Sequence, residues 1–385
     1  MEKDKKRPRG LAAQRAAKKA KVSEEPEAPK DTQTVVLDKI VEEGDEIGEA
    51  AALYESALEK AESDPTSALQ LIRGTVHECD RILRNWPKGD RRPPTFFYFV
   101  YGSALYELGR MTEDEDFGPY LDAAEERLQT GLERFAEEGH DEKDVEGEHA
   151  PNGVRLTAAL AKVWLAKAAT EIDEEHNDIP NLAQEALKNM QTIYVKGEAE
   201  YTPIPFRELV DLASAAQSHG DLYKDFDNQS KFREWAHSIL LEITQEEPEN
   251  ARAFLELGLN RLSLANYWLE QVDEKMQDKD EETEEKKTRT PEEERAFEAI
   301  AEAKKHFLQS LEMFKQTGQA GAQIYADLAE TCVNEANLML TEEEQNKRYE
   351  EALGYIKEAQ TAGGEGYSLP EGLQAFLDEW NENKE

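Results

Sequence analysis

Length, composition and charge exclude several classes of protein. The chain has 385 residues, of which 84 are acidic and 46 basic, so its formal net charge is −38. A field of this sign repels phosphate groups, and we expect no direct binding of nucleic acid by the folded body. The sequence has no apolar run of the ~18 residues that a membrane helix needs, and its two cysteines, Cys79 and Cys332, cannot make a disulfide framework. We therefore expect an intracellular protein without membrane contact.

The N-terminal segment has the opposite sign of charge. Residues 1–21 contain nine basic and two acidic side chains, a net charge of +7. The basic residues form two clusters with ten residues between them: Lys5, Lys6 and Arg7, then Lys18, Lys19 and Lys21. This spacing is typical of a bipartite nuclear-import signal bound by importin. A solvated basic tail or an RNA-tethering arm is the alternative interpretation.

The composition after this tail predicts two domains. Residues 24–29 are rich in Glu and Pro, which is typical of a disordered linker. We expect residues 1–44 to be a disordered basic tail with the nuclear-import signal and a linker, and residues 45–385 to form a helical-repeat domain.

The folded region begins with a weakly patterned helix pair, at about 45–61 and 64–85. The later sequence fits the tetratricopeptide unit of about 34 residues, in which small residues let two helices approach and Pro ends the second. The clearest unit contains Ala236, Leu240, Ile243 and Pro248, followed in register by Phe254, Leu257 and Gly258.

Other segments repeat this pattern less strictly. The first helices of these units are marked by Tyr98, Tyr101 and Gly102, by Leu160, Ala161 and Trp164, by Leu209, Leu212 and Ala213, and by Tyr325, Leu328 and Ala329. The second helices are marked by Ala124, Leu128 and Gly131, by Ala183, Leu187 and Met190, by Ala303, Phe307 and Ser310, and by Ala352, Ile356 and Ala359. The aromatic run 96–101 continues into small residues, so we predict a buried helix there and not a strand. Residues 370–380 predict a terminal helix that covers the last apolar face. The predicted fold is all-α, a tetratricopeptide-like α-solenoid of about six helix pairs plus a C-terminal capping helix.

Two acidic segments interrupt the repeats, near 137–148 and 273–294. Insertions in repeat units emerge on one face, where acidic ones could hold a basic ligand. Equally, they could be a solvated extension of one helix and the start of the next, with acids at its positive end.

The search for catalytic motifs favours a protein that is not an enzyme. The sequence has no Gly-rich phosphate loop, no Gly-x-Ser-x-Gly elbow and no His-Glu-x-x-His zinc helix. None of its seven histidines stands at zinc-ligand spacing from another or from a cysteine. We expect no cofactor, no metal and no catalytic residue.

One dense polar block remains, at residues 76–84. On a helix, His77, Asp80, Arg81 and Arg84 share one face, where Asp80 could pair with Arg84 and with His77. A surface salt-bridge network and a partner-recognition patch both fit this pattern. A Cys79–His77 nucleophile does not, because residues two apart on a helix point in different directions.

The chain resembles the fungal enhancer of translation termination family. The resemblance is carried by residues 6–11, by residues 18–22 and by the block at 74–84, and it is supported by length, acidity and the repeat pattern. It implies a nuclear, non-catalytic scaffold needed for accurate stop-codon recognition. It also implies action beside a 2-oxoglutarate-dependent prolyl hydroxylase of a ribosomal protein, and contact with termination factors. The family supplies no residue roles that can be carried over, so His77, Asp80, Arg81 and Arg84 are our candidate partner-binding residues.

A second hypothesis belongs to a different class of protein. An acidic nuclear chaperone for a basic cargo, such as histones or a ribosomal protein, also fits the charge of −38. Its binding would weaken steeply with salt, whereas a peptide anchored by apolar side chains in the concave face of the repeats would be less sensitive.

Overall fold

The fold is all-α. A computed structural model of the chain describes residues 41–42, 44–61, 64–87, 92–112, 116–138, 152–172, 178–193, 204–277 and 288–382. Within these ranges it contains thirteen α-helices and no strand, which confirms the predicted fold class. The described helices are α1 (Glu46–Lys60), α2 (Pro65–Asn85), α3 (Thr95–Met111), α4 (Gly118–Glu138), α5 (Asn152–Ala169), α6 (Asn181–Ile193), α7 (Phe206–Gly220), α8 (Phe226–Glu246), α9 (Ala251–Gln277), α10 (Pro291–Thr317), α11 (Ala322–Asn337), α12 (Glu342–Gly363) and α13 (Glu371–Glu382).

The helices form six pairs followed by α13, as the repeat pattern predicts. Each odd-numbered helix from α1 to α11 packs against the even-numbered helix after it. The odd-numbered helices also contact one another in succession, α1 with α3, α3 with α5, and so on to α11. The first helices of successive pairs therefore line one shared face of the array.

Local signals explain where several helices begin. The side chains of Asp45 and Asp64 accept hydrogen bonds from the first-turn N–H groups of Gly48 and Ser67, which caps α1 and α2. At the start of α10, Thr290 and Glu293 form a reciprocal capping box, and Pro291 occupies the first turn. The aromatic run of α3 is helical and buried, as predicted, because it packs on both neighbouring pairs.

Glycines mark the closest approaches between helices. A Cβ at Gly258 of α9 would lie 2.4 Å from the ring of Phe307 on α10, and one at Gly102 of α3 would lie 2.5 Å from Leu128 on α4. These separations are too short for any larger residue. The glycines that the repeat pattern places at its small-residue positions therefore lie where two paired helices approach most closely, as the pattern predicts.

The acidic insertions lie only partly within the described residues. Helix α4 ends at Glu138, α9 continues to Gln277, and α10 begins at Pro291 with three glutamates in its first turn. The long α9 agrees with the interpretation of the second insertion as an extension of one helix. The glutamates in the first turn of α10 agree with its interpretation as the start of the next helix, where acids lie at the positive end of the helix dipole. Residues 139–148 and 278–287 lie outside the described residues. Among the described helices, none combines the length and the apolarity that crossing a membrane requires.

Candidate partner-binding surfaces

The predicted patch lies on α2, where its four residues divide into two kinds. His77, Asp80 and Arg84 are exposed and Arg81 is half-buried. The opposite side of α2 carries Ile72, Cys79 and Ile82, which are buried in the core. The helical spacing therefore places the patch on the solvent side, as the sequence predicts.

The hydrogen bonds of the patch differ from the predicted ones. Asp80 accepts a hydrogen bond from the hydroxyl of Tyr101 on α3. Arg81 donates to Glu78 on its own helix and to Glu46 of α1, at 2.9 Å from the latter. The predicted pairs Asp80–Arg84 and His77–Asp80 are not among the contacts of the described residues, and Tyr101 on α3 bonds Asp80 instead. Two residues of the patch therefore connect α2 to its neighbours, whereas His77 and Arg84 are exposed and have no hydrogen-bond partner among the described residues.

Burial makes both cysteines poor nucleophiles. Cys79 and Cys332 are fully buried, and burial raises the pKa of each thiol to about 12. At neutral pH both are protonated, and the thiolate is the reactive form.

Cys332 also lies close to two carboxylates. The Sγ atom of Cys332 lies close to carboxylate oxygens of Glu335 and Glu351, and three such atoms could in principle bind a metal ion. However, the ammonium of Lys304 already donates to Glu335 at 2.8 Å and to Glu351 at 2.9 Å. Arg348 also bonds both carboxylates, each at 3.0 Å, so two internal cations balance them.

A second surface is a groove on the face shared by the odd-numbered helices. It encloses about 560 Å³ between α1, α3, α5, α7 and α9. Its charged lining consists of Glu107, Arg110, Lys162, Arg207, Asp211 and Arg252, and its apolar lining includes Leu58, Leu165, Ala166 and Leu222. We call this surface the inner groove. Four basic and two acidic side chains give it a local charge of +2 in a chain of charge −38.

The inner groove has a buried ion pair at its base. The Nζ atom of Lys162 lies 3.7 Å from Glu107 Oε1, and both side chains are largely buried. Burial lowers the pKa of Lys162, but the carboxylates of Glu107 and Asp211 outweigh this and hold the pKa above its ordinary value. Lys162 is therefore a permanent cation at the bottom of the groove.

The remaining groove cations differ in how they are paired. Arg110 bonds Glu107 at 2.8 Å, and Arg252 bonds Asp211 at 2.7 Å. Glu107 thus serves two cations. Arg207 is half-buried and has no ion-pair partner among the described residues. The groove therefore presents more positive charge than its own carboxylates neutralise.

His219 lies at one wall of the groove and is uncharged. Its Nε2 atom is 2.9 Å from the hydroxyl of Tyr223, and its ring packs against Phe232. Burial lowers the pKa of His219 to about 4, so it adds no charge at neutral pH.

The sequence reasoning missed the inner groove because its charges are far apart in the chain. One signal was present: Arg207, Asp211 and Ser218 recur at helical spacing on α7, on the side opposite its apolar residues. Charges at such spacing usually indicate a solvated face. Only the packing of odd-numbered helices shows that they line a groove.

The predicted import signal lies outside the described residues. Lys5, Lys6, Arg7, Lys18, Lys19 and Lys21 all precede residue 41, where the described part of the chain begins. Their role remains a prediction from the sequence.

The fold and these surfaces define a helical-repeat protein, and comparisons with known proteins place it among fungal relatives. The sequence profile of the family described as "Nuclear pore complex subunit Nro1" matches residues 3–145. The relative named "Enhancer of translation termination 1" from Meyerozyma guilliermondii is 27% identical over 58% of this chain and 51% of its own length. The protein of that name from Yarrowia lipolytica is 24% identical over 84% of this chain and 83% of its own. The chain is thus similar to the fungal enhancers of translation termination, which confirms the resemblance that the sequence indicates.

A second kind of relative comes from Schizosaccharomyces pombe. "Negative regulator of ofd1" is 30% identical over 48% of this chain and 48% of its own length. The chain spans about half the length of this relative and of the Meyerozyma protein. A solved structure of the S. pombe nuclear import adaptor Nro1 matches with a TM-score of 0.50 and 22% identity, over 87% of this chain and 99% of that one. This likeness supports the fold.

Proposed function

We propose that this chain is a non-catalytic nuclear adaptor that binds protein partners and acts in translation termination. The observation that carries the proposal is the match to relatives named for translation termination in several fungi. The S. pombe protein of similar fold is described as a nuclear import adaptor, which supports an adaptor role here. Burial keeps both thiols protonated, which argues against a cysteine nucleophile.

The adaptor has two candidate binding surfaces. The inner groove crosses five helices, which suits capture of an extended or helical segment of a partner. On α2, His77 and Arg84 provide a second, exposed surface. We propose that the partners are the ribosomal prolyl hydroxylase and the termination factors, and that importin binds the basic tail.

An acidic chaperone for a basic cargo is the second candidate function. The charge of −38 favours it, because such a field attracts histones and ribosomal proteins. Its complexes would be largely electrostatic and would dissociate as salt screens the charges.

Recovery of complexes from nuclei distinguishes the two functions. The tagged chain is purified from its own nuclei at low and at high salt, and bound proteins are identified. The adaptor proposal expects a hydroxylase or termination factor that remains at high salt, together with increased stop-codon readthrough when the chain is deleted. Recovery of basic proteins alone, lost at high salt, with unchanged readthrough, favours the chaperone.

The basic tail is tested separately. Replacing Lys18, Lys19 and Lys21 with Ala removes one of the two clusters that an import receptor would bind. We expect the protein to move from nucleus to cytoplasm, as measured by fluorescence microscopy of a tagged chain. Substituting Lys347, Lys357 and Lys315 in the repeat domain is the control, and unchanged nuclear enrichment of the tail variant would contradict the import signal.

A further inference from the structure

We infer that the inner groove binds an acidic peptide segment of a partner, with apolar side chains between its carboxylates. The inference rests on the proposed adaptor function and names the chemistry of what one surface binds. It runs against the expectation from net charge, which predicts basic partners over the whole surface.

The first reason is the charge that remains after the internal pairs are counted. Glu107 is shared by Lys162 and Arg110, and Asp211 faces both Lys162 and Arg252. The lining of the groove therefore carries two more positive than negative side chains. Carboxylates of a ligand would balance this excess, and Arg forms paired hydrogen bonds with a carboxylate more readily than with any other side chain.

The second reason is the position of Arg207. It lines the groove on α7, one helical turn from Asp211, and it makes no ion pair with any described residue. Arg207 could therefore bond a carboxylate of a ligand without giving up an internal ion pair. We expect Arg207 to make the principal contact.

The third reason is the apolar lining beside these charges. Leu222 follows α7 and is 47% exposed, the highest value of the three large apolar side chains that are exposed in the described part of the chain. Leu58 and Ala166, both half-buried, contribute further apolar surface. A ligand that is only charged would leave this surface in water, whereas a peptide with leucine-like residues between its acids would cover it.

The size of the groove and the charge around it favour a short peptide over a polyanion. A volume of about 560 Å³ accommodates a few residues. A nucleic acid would extend beyond the groove onto a chain of charge −38, within the ~10 Å over which charges interact at moderate salt. Repulsion there would oppose the attraction inside.

The direct test measures binding of a defined probe to the full-length chain. The probe is a short fluorescent peptide in which Asp and Glu alternate with Leu, and fluorescence anisotropy reports its binding. We expect Arg207→Glu to weaken binding about tenfold, which corresponds to about 1.4 kcal/mol. The matched control is Lys347→Glu, which makes the same change in charge at an exposed position of α12, and we expect less than about a twofold effect. Circular dichroism verifies that both variants keep their helices.

Three companion probes decide whether the acidic peptide is the ligand. A peptide with Asn and Gln in place of the acids, a peptide with Lys in their place, and a single-stranded oligonucleotide are measured in the same way. The inference expects all three to bind at least about tenfold more weakly than the acidic peptide. Preferential binding of the Lys peptide, or binding of the oligonucleotide with the same sensitivity to Arg207→Glu, would overturn it. So would an acidic peptide that fails to bind or is unaffected by Arg207→Glu.

The adaptor proposal can fail independently of this inference. If nuclear partners are recovered equally by the unaltered chain and by Arg207→Glu, and the acidic peptide does not bind, the groove inference is wrong and the adaptor proposal stands. If the peptide binds in the groove but no partner is recovered from nuclei, the adaptor proposal fails while the chemistry of the groove is confirmed.

Discussion

The α2 patch and the inner groove show opposite relations between sequence and surface. The patch is dense in the sequence, with four polar residues within residues 77–84, yet two of them are used in contacts with α1 and α3. The charges of the groove are spread from Glu107 to Arg252, yet the packing brings them into one cavity. Density of polar residues along a helix therefore does not measure how many are available to a partner.

The largest expected effect comes from breaking the ion pair at the base of the groove. Glu107→Leu leaves the ammonium of Lys162 largely buried with only Asp211 nearby, and we expect it to lower the free energy of unfolding by about 3 kcal/mol. Replacing Lys162 with Met in the same chain removes the stranded charge and should recover most of this loss. Urea denaturation measures both variants. A loss below about 0.5 kcal/mol for Glu107→Leu would mean that water screens the pair.

The next largest effect is the dependence of the free energy of unfolding on pH that comes from His219, at the wall of the inner groove. The pKa of His219 is lowered by burial from 6.5 to about 4, so the unfolded chain binds its proton more tightly than the folded one. The contribution of the neutral, buried His219 to the free energy of unfolding is therefore fully present above pH 6.5 and is lost as the pH falls toward 4.

A matched variant isolates this effect from those of other groups. Asp327 has a pKa raised by burial to about 6 and opposes the trend, and His237 has a pKa near 4 and adds to it. The unaltered chain and His219→Gln are therefore compared between pH 7 and pH 4.5. We expect the unaltered chain to lose roughly 2 kcal/mol more than the variant. Equal losses would show that His219 is protonated in the folded state.

A smaller effect separates the two kinds of residue in the α2 patch. Tyr101→Phe removes the hydrogen bond to Asp80 that connects α3 to α2, and we expect a loss of about 1 kcal/mol in the free energy of unfolding. Thermal denaturation followed by circular dichroism is the measurement. A chain as stable as the original would place Asp80 among the residues available to a partner.

The smallest effect on stability is expected at Arg84. Arg84→Glu changes an exposed side chain without a described partner, so the free energy of unfolding should change by less than about 0.5 kcal/mol. Recovery of nuclear partners by this variant, beside Arg207→Glu, compares the two surfaces directly. Loss of partners with Arg84→Glu but not with Arg207→Glu would transfer the principal binding role to the patch.

Much of the helical architecture could be predicted from local sequence. The boundaries of α1 and α2 agree with the predicted ranges to within a residue, because Asp45 and Asp64 cap them and Pro65 opens the second. The small positions Gly102 and Gly258 identified the helix contacts correctly, because only glycine permits those approaches. The hydrogen bonds of Asp80 with Tyr101 and of Arg81 with Glu46 were not predictable, because each joins two different helices.

The sequence by itself determined the helices, their pairing and the family resemblance, because periodicity, caps and small residues act between positions that are close along the chain or repeated at a fixed spacing. Only the tertiary structure decided which polar side chains face a partner and where charge of the opposite sign collects. Those properties depend on the register and angle at which odd-numbered helices pack. A shift of one turn, about 5.4 Å, between α3 and α5 would separate Lys162 from Glu107.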